Sequence, residues 1–196
     1  MEGSFKKMKD NYRRIIDVAI KLMSEKGYAG TSIQMIADIV GIKKASIFHH
    51  FKKKEEILLA ILQETIPLTT YELMLLVNSD AHSSIEKIKI FIKTHMQFVA
   101  GRGDILKIYL SESRHVTKKK EYMASRKLYT DLVVQLVKGA KKENPHLFKN
   151  NDPEIVANGL LGMCNWAVFW YKGSMKMSID EVADQLFEMT RFSCLQ

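Results

Sequence analysis

GYAGTSIQMIADIVGIKKASIFHHFKKKEE, residues 27–56, is the stretch whose reading decides the fold. Gly27 suits the stop of a preceding helix, and Thr31 with Gln34 three residues on forms a capping-box start for the next. Ile33, Ile36, Ala37 and Val40 then recur at helical spacing and bury one face. Gly41 supplies the positive φ that a sharp turn between helices needs, and Ile42 plugs the corner. In the following helix, over 43–51, Ile47 and Phe51 turn inward at i, i+4, leaving Lys43, Lys44, Ser46, His49 and His50 on the other faces. Two short helices around a glycine turn, the second rich in donors, make a helix-turn-helix with its second helix suited to the DNA major groove.

Charge supports this. Residues 1–54 hold twelve Lys/Arg against five Asp/Glu, a net of +7 out of +8 for the whole chain. The other 142 residues carry eighteen basic against seventeen acidic groups, close to neutral. A basic head on a neutral body points to a polyanion partner for the head alone, since neutralising phosphates is the sequence-independent part of DNA affinity. The competing reading of such charge is a solvated lysine-rich face.

The rest of the chain reads as helix. At 196 residues and 46% hydrophobic content it has room for a full core, and three prolines and ten glycines favour an all-α protein of about nine helices. The first is expected over 9–26. A fourth starts near Lys54 and runs toward Leu76, with Pro67 expected to kink or end it. Ser83 with Glu86 caps a helix to about Ala100, and Gly101 and Gly103 separate it from a shorter one over 104–114. Lys118 to Lys120 open a longer helix, in the bland reading a solvent-facing run. Asp152 with Pro153 starts the next, ending near Lys172–Gly173, and Ser178 with Glu181 caps the last. The start shows no apolar stretch resembling a signal peptide, and the uncharged run 155–171 is shorter than the ~20 apolar residues of a membrane span. Cys164 and Cys194 form no disulfide framework, which suits reduced thiols and a cytoplasmic location.

The string Gly27-Tyr28, Thr31, Ile36-Ala37, Gly41-Ile42, Ser46-Ile47-Phe48, His50-Phe51 and Lys54-Glu55-Glu56-Ile57-Leu58 resembles the TetR family of bacterial transcription regulators. The resemblance implies an all-α homodimer with a three-helix DNA head, here 1–53, and a helical ligand-binding and dimerisation body, here 54–196. The family usually has tyrosine where this chain has Phe48, and that hydroxyl commonly reaches a phosphate; Phe48 keeps the packing without the bond. The body, through Gly162-Met163, Asn165-Trp166, Trp170-Tyr171 and Ser178 to Val182, resembles the branch that responds to acyl-CoA thioesters and related acids.

The candidate sites follow. Lys43, Lys44, Ser46 and His49 are placed for base edges or phosphates, since lysine can bond guanine and serine several bases. Thr31 and Ser32, at a helix N-terminus, suit a phosphate, and Lys53 and Lys54 the flanking backbone. Ala45 and His50, in the same string, complete the DNA-binding set. His49 and His50 point about 100° apart on a helix, so no metal pair is expected. Phe91, His95, Phe98, Leu110, Tyr129, Asn165 and Trp166 are the candidate lining of an apolar ligand pocket. The bland reading of His95 is a hydrogen-bonded core histidine. Gly159, Gly162, Phe169, Trp170, Val182 and Leu186, on the last two helices, are the candidate dimer interface; a helix uncharged all round must be covered on all sides. The alternative for that helix is the centre of a monomer.

No Gly-rich phosphate loop, Gly-x-Ser-x-Gly, His-Glu-x-x-His or Cys-x-x-Cys occurs, so an enzyme is not expected, nor a cofactor or metal. The expected function is a repressor released from an operator by a small hydrophobic molecule, with an acyl-CoA as leading ligand class. A ligand-independent DNA-organising protein and a helical small-molecule enzyme are the alternatives.

Overall fold

The computed structural model describes residues 2–116, 120–146, 148 and 150–192. Among the described residues there are eight α-helices, one 3-10 turn and no strand. They are α1 (Glu2–Gly30), α2 (Ile33–Val40), α3 (Lys44–His50), α4 (Lys54–Val77), α5 (Ser84–Glu112), α6 (Lys120–Glu143), α7 (Pro153–Trp170) and α8 (Ile179–Phe192), with the 3-10 turn at Ser113–His115. The all-α expectation holds. Two helices expected over 83–114 run together as α5, and the break falls at Arg102, with φ −137° and ψ 28°. α4 continues through residue 67 to Val77, so the expected stop is absent. A proline removes one backbone bond, which a long helix can carry. Lys118 and Lys119 lie outside the described residues.

Local chemistry explains several helix ends. Gly27, at φ 73° and ψ 168°, breaks α1 in a region closed to most side chains. Ser32, not Thr31, caps α2: its hydroxyl accepts from Met35 N–H at 3.1 Å. Thr31 instead donates to the carbonyl of Gly27 at 2.9 Å, and Gln34 donates to Asp38 rather than closing a capping box. Gly41, left-handed at φ 76°, ends α2, with Ile42 N–H reaching back to the Ala37 carbonyl at 3.0 Å. Reciprocal caps form at Ser83–Glu86 and Ser178–Glu181 as expected, and Asp152 accepts from Glu154 and Ile155 N–H ahead of Pro153.

Two compact units result. One comprises Met1–Thr65 with Asp104–Tyr122, the other Ile66–Gly103 with Met123–Gln196. In the first, α1 packs on α2 and α2 on α3. Its core holds Ile15, Ile16, Ala19 and Met23 of α1, Ile36 and Ala37 of α2, Ile47 of α3, Ile57, Leu58 and Ile61 of α4, and Ile108 of α5. Burying each large aliphatic contributes about 1.5–3 kcal/mol against leaving it in water. The second unit buries Ile88, Phe91, Ile92 and Met96 of α5, Val133 and Val137 of α6, Ala157, Leu160, Cys164 and Ala167 of α7, and Val182 and Leu186 of α8. Ser84 ties the start of α5 to the end of α6 by donating through both its amide and hydroxyl to Glu143, at 2.8 and 2.6 Å.

Candidate nucleic-acid interface, buried polar cluster and exposed apolar face

α3 sits on its unit through Ile47 and, just past its end, Phe51, both buried. Phe51 stacks on the Tyr12 ring at 5.1 Å between centroids. His50 meets the same ring edge-on at 6.2 Å and is half-buried, so of the two histidines only His49 is exposed. Lys43, Lys44 and Ala45 are exposed and Ser46 is half-buried. Phe48 is also exposed, at 38%. Lys52, one residue past Phe51, is exposed as well. The candidate DNA-binding set left out the exposed Phe48 and Lys52, although Phe48 follows Lys44 by one helical turn and Ala45 by three residues.

The remaining head candidates fare differently. Thr31 is buried, its hydroxyl committed to Gly27, while Ser32 is exposed with its hydroxyl used as the α2 cap. Lys53 is exposed and pairs with Glu55 at 2.7 Å, a bond that raises its pKa. Lys54 departs most from expectation. Its Nζ donates to the carbonyls of Tyr28 at 2.6 Å and Thr31 at 2.7 Å, and stands 4.1 Å over the Tyr28 ring. Partial burial pushes its pKa down. This lysine closes the corner between α1 and α2 onto α4, and its ammonium is spent on those carbonyls. The Tyr28 ring also stacks on His115 at 4.5 Å, and His115 Nε2 lies 3.4 Å from Glu112.

Four of the expected pocket residues, Phe91, His95, Tyr129 and Asn165, come together in the second unit. His95, 8% exposed, has Nδ1 3.1 Å from the Tyr129 hydroxyl and Nε2 3.0 Å from Asn165 Oδ1. The amide oxygen only accepts, so Nε2 carries the hydrogen, and the Tyr129 hydroxyl donates to Nδ1. Burial pushes His95 down to about 4, against the smaller upward effect of Asn165, so the ring is neutral at pH 7. Phe91, buried, meets the imidazole edge-on at 5.7 Å. Phe91 also meets the Tyr129 ring, at 6.4 Å between centroids. Phe98 is half-buried, Leu110 is exposed at 36% and falls in the first compact unit, and Trp166 is 64% exposed. Trp166 therefore does not share the enclosure of His95. Cys164 is buried on the same helix, and desolvation pushes its thiol up to about 12, so no thiolate forms near neutral pH.

The outer face of α7 is apolar. Ile155, Trp166, Phe169 and Trp170 are exposed at 68%, 64%, 49% and 39%. Gly159 and Gly162 fall between them, and a Cβ built at either would meet nothing within 4 Å. Trp166 and Phe169 pack against each other at 4.9 Å between centroids. Val182 and Leu186, expected at a partner, are buried inside the chain itself, on a helix that packs on α7 and pairs Asp180 and Asp184 with Lys93 and Lys89 of α5. Among the described residues no group of His, Cys, Asp or Glu is placed to hold a metal ion, and no helix is long and apolar enough to cross a membrane.

Comparison with known proteins places this geometry. Residues 15–61 match the family described as bacterial regulatory proteins, tetR family, and residues 81–192 match the tetracyclin repressor-like C-terminal domain. The HTH-type transcriptional repressor KstR2 of Rhodococcus jostii (strain RHA1) is 24% identical over 177 residues, 87% of this chain and 84% of that protein. The IcaR regulator of the biofilm operon in Staphylococcus epidermidis is 56% identical over 50 residues, 26% of this chain and 25% of IcaR. Among solved structures, AibR in complex with isovaleryl coenzyme A and operator DNA superposes with a TM-score of 0.81 at 27% identity, covering 91% of this chain and 97% of AibR. KstR2 of Mycobacterium tuberculosis superposes at 0.84 with 18% identity, covering 94% and 95%, a likeness of fold.

Proposed function

The chain belongs to the TetR family of bacterial regulatory proteins, and we propose that it is a dimeric repressor released from its operator by an acyl-CoA. As a family member it is a DNA-binding transcriptional regulator that works as a homodimer. In this reading residues 1–53 bind DNA and residues 54–196 bind ligand and dimerise, a division of labour rather than of compactness. Lys43, Lys44, Ser46 and His49 meet the major groove and its phosphates, with Ser32 and Lys53 on the flanking backbone. The outer face of α7, through Gly159, Gly162, Phe169 and Trp170, meets the same face of a second copy. His95, Tyr129 and Asn165, with Phe91, supply the polar anchors of the ligand pocket. The protein acts in the cytoplasm, as a binder rather than a catalyst.

The carrying observation is the uncovered face of α3, bordered by the exposed Lys43, Lys44 and His49, at the end of a helix-turn-helix. The ligand class rests on the likeness to AibR, solved with isovaleryl coenzyme A and operator DNA. Release is a linkage effect. A ligand shifts the equilibrium only by its differential affinity for two head spacings, and the disfavoured one no longer matches half-sites roughly 34–36 Å apart. The test is a titration of isovaleryl-CoA and longer acyl-CoAs against the protein, alone and on an operator selected from random duplexes. The melting temperature should rise and operator affinity fall in the same concentration range. No response to any chain length removes the thioester. A preference for the selected operator far below about 10³-fold over other duplex removes the regulator reading in favour of DNA organisation.

A further inference from the structure

The exposed arc of α3 is polar at its edges and apolar at its centre. At 3.6 residues per turn, the exposed residues follow one another around the helix in the order Lys44, Phe48, Ala45, His49. Phe48 and Ala45 thus occupy the middle, three residues apart and in reach of each other. Lys44 and His49 flank them. A helix lying in the major groove turns its flanks to the two phosphate rims and its centre to the base edges on the groove floor. A phenyl ring and a methyl group can bond nothing on either rim. On the floor there is one apolar group, the C5-methyl of thymine.

We propose that Phe48 and Ala45 read thymine C5-methyl groups, so that each operator half-site presents thymine opposite the middle of α3. This rests on the regulator reading above, and adds the base chemistry that the half-site must carry. It also gives a role to the side chain at which this sequence departs from the usual tyrosine. Of the two large apolar side chains of α3, Ile47 is buried and Phe48 keeps 38% of its surface in water. In a complex, the methyl removes it from water.

The experiment uses the full chain and an operator selected from random duplexes. Thymines of the half-site are replaced one at a time by deoxyuridine, which removes the methyl and leaves every hydrogen-bonding edge in place. Anisotropy at fixed salt should show one or two positions per half-site where affinity falls roughly fourfold, the worth of one methyl-sized apolar group. Phe48→Ala should lose a similar factor on the thymine operator and become indifferent to uracil at those positions, with its helical content unchanged by circular dichroism. Phe48→Tyr, keeping the ring, should keep the discrimination. The inference is overturned if uracil at every thymine leaves affinity within twofold, or if Phe48→Ala remains as sensitive to uracil as the parent. If no sequence is enriched at all, it is the regulator reading that falls, and this inference with it.

Discussion

α3 and α7 each leave one face uncovered, and the two faces could hardly differ more. The α3 face is bordered by Lys43, Lys44 and His49 around a small apolar centre. The α7 face runs from Ile155 through Gly159, Gly162 and Trp166 to Phe169 with no formal charge along it. Ionic borders select a charged partner and make the contact salt-dependent. An uncharged face with two glycines selects an apolar, close-packing partner, for which a second copy related by a two-fold axis is the self-complementary solution. In the proposed reading one chain separates its two associations by chemistry, so that salt should weaken the DNA contact and leave the dimer.

The contrast can be broken most sharply at α7. Gly162→Glu has open space in the single chain, so the fold should tolerate it, while two charges facing across a dimer axis should not be tolerated. Sedimentation should show monomers at micromolar concentration, and operator affinity should fall on the order of 10³-fold as the second half-site contact is lost. A variant that stays dimeric shows that α7 is not the interface. Next in size, replacing Lys43 and Lys44 together by alanine should cost on the order of 10²-fold in operator affinity with the dimer intact. The slope of log affinity against log salt should flatten by about 0.9 for each lysine that meets a phosphate. An unchanged slope would mean that the exposed cations of α3 serve only solubility.

Histidines sharpen the comparison between regions. His49 stands in solvent, whereas His95 is buried and held neutral with its pKa down at about 4. Between the ordinary value of 6.5 and about 4, the unfolded chain takes up a proton at His95 that the folded chain refuses. Stability present above pH 6.5 is therefore lost as pH falls, levelling below about 4, by on the order of 3 kcal/mol. Urea midpoints of the parent and His95→Gln across pH 7 to 4 should diverge in steepness, the variant being flatter. Glu86, Glu143 and Glu181 are held low by serine bonds and titrate in both proteins, so the difference isolates the histidine. Parallel profiles would place water around the ring. The smallest effect concerns lysines of the first compact unit: Lys54→Met should cost about 1–2 kcal/mol of stability with the salt slope unchanged, the reverse of Lys44→Ala. A slope that flattens would return Lys54 to the phosphate backbone.

What could be read in advance was whatever is settled within one turn of helix. The caps at Ser83, Asp152 and Ser178 and the turn at Gly41 depend on neighbours three or four residues away, and they form as spaced. Thr31 and Ser32 are adjacent and chemically alike, and only the left-handed break at Gly27 decides that Thr31 turns back while Ser32 caps. The direction of Lys54 is set by carbonyls more than twenty residues earlier, which no local pattern reports. Periodicity showed that Val182 and Leu186 would be covered, without saying whether by the chain or its partner. Trp166 was legible as a large aromatic on an apolar helix, but its side of that helix follows from how α7 packs on α8. His95 with Asn165 and Tyr129 was placed by its spacing on an apolar stripe; the pairing itself spans three helices.

The unit that carries α3 is written in two separated pieces of chain, and Tyr28 stacks on His115 from the second of them. A regulator of this build is no simple cassette. Grafting residues up to 65 onto a foreign body would leave the Tyr28 ring without the His115 imidazole that stacks on it, opening a seam that the parent keeps closed. Recombination that hopes to exchange operators between such proteins must carry 104–122 along with the head, or else confine itself to the few exposed positions of α3.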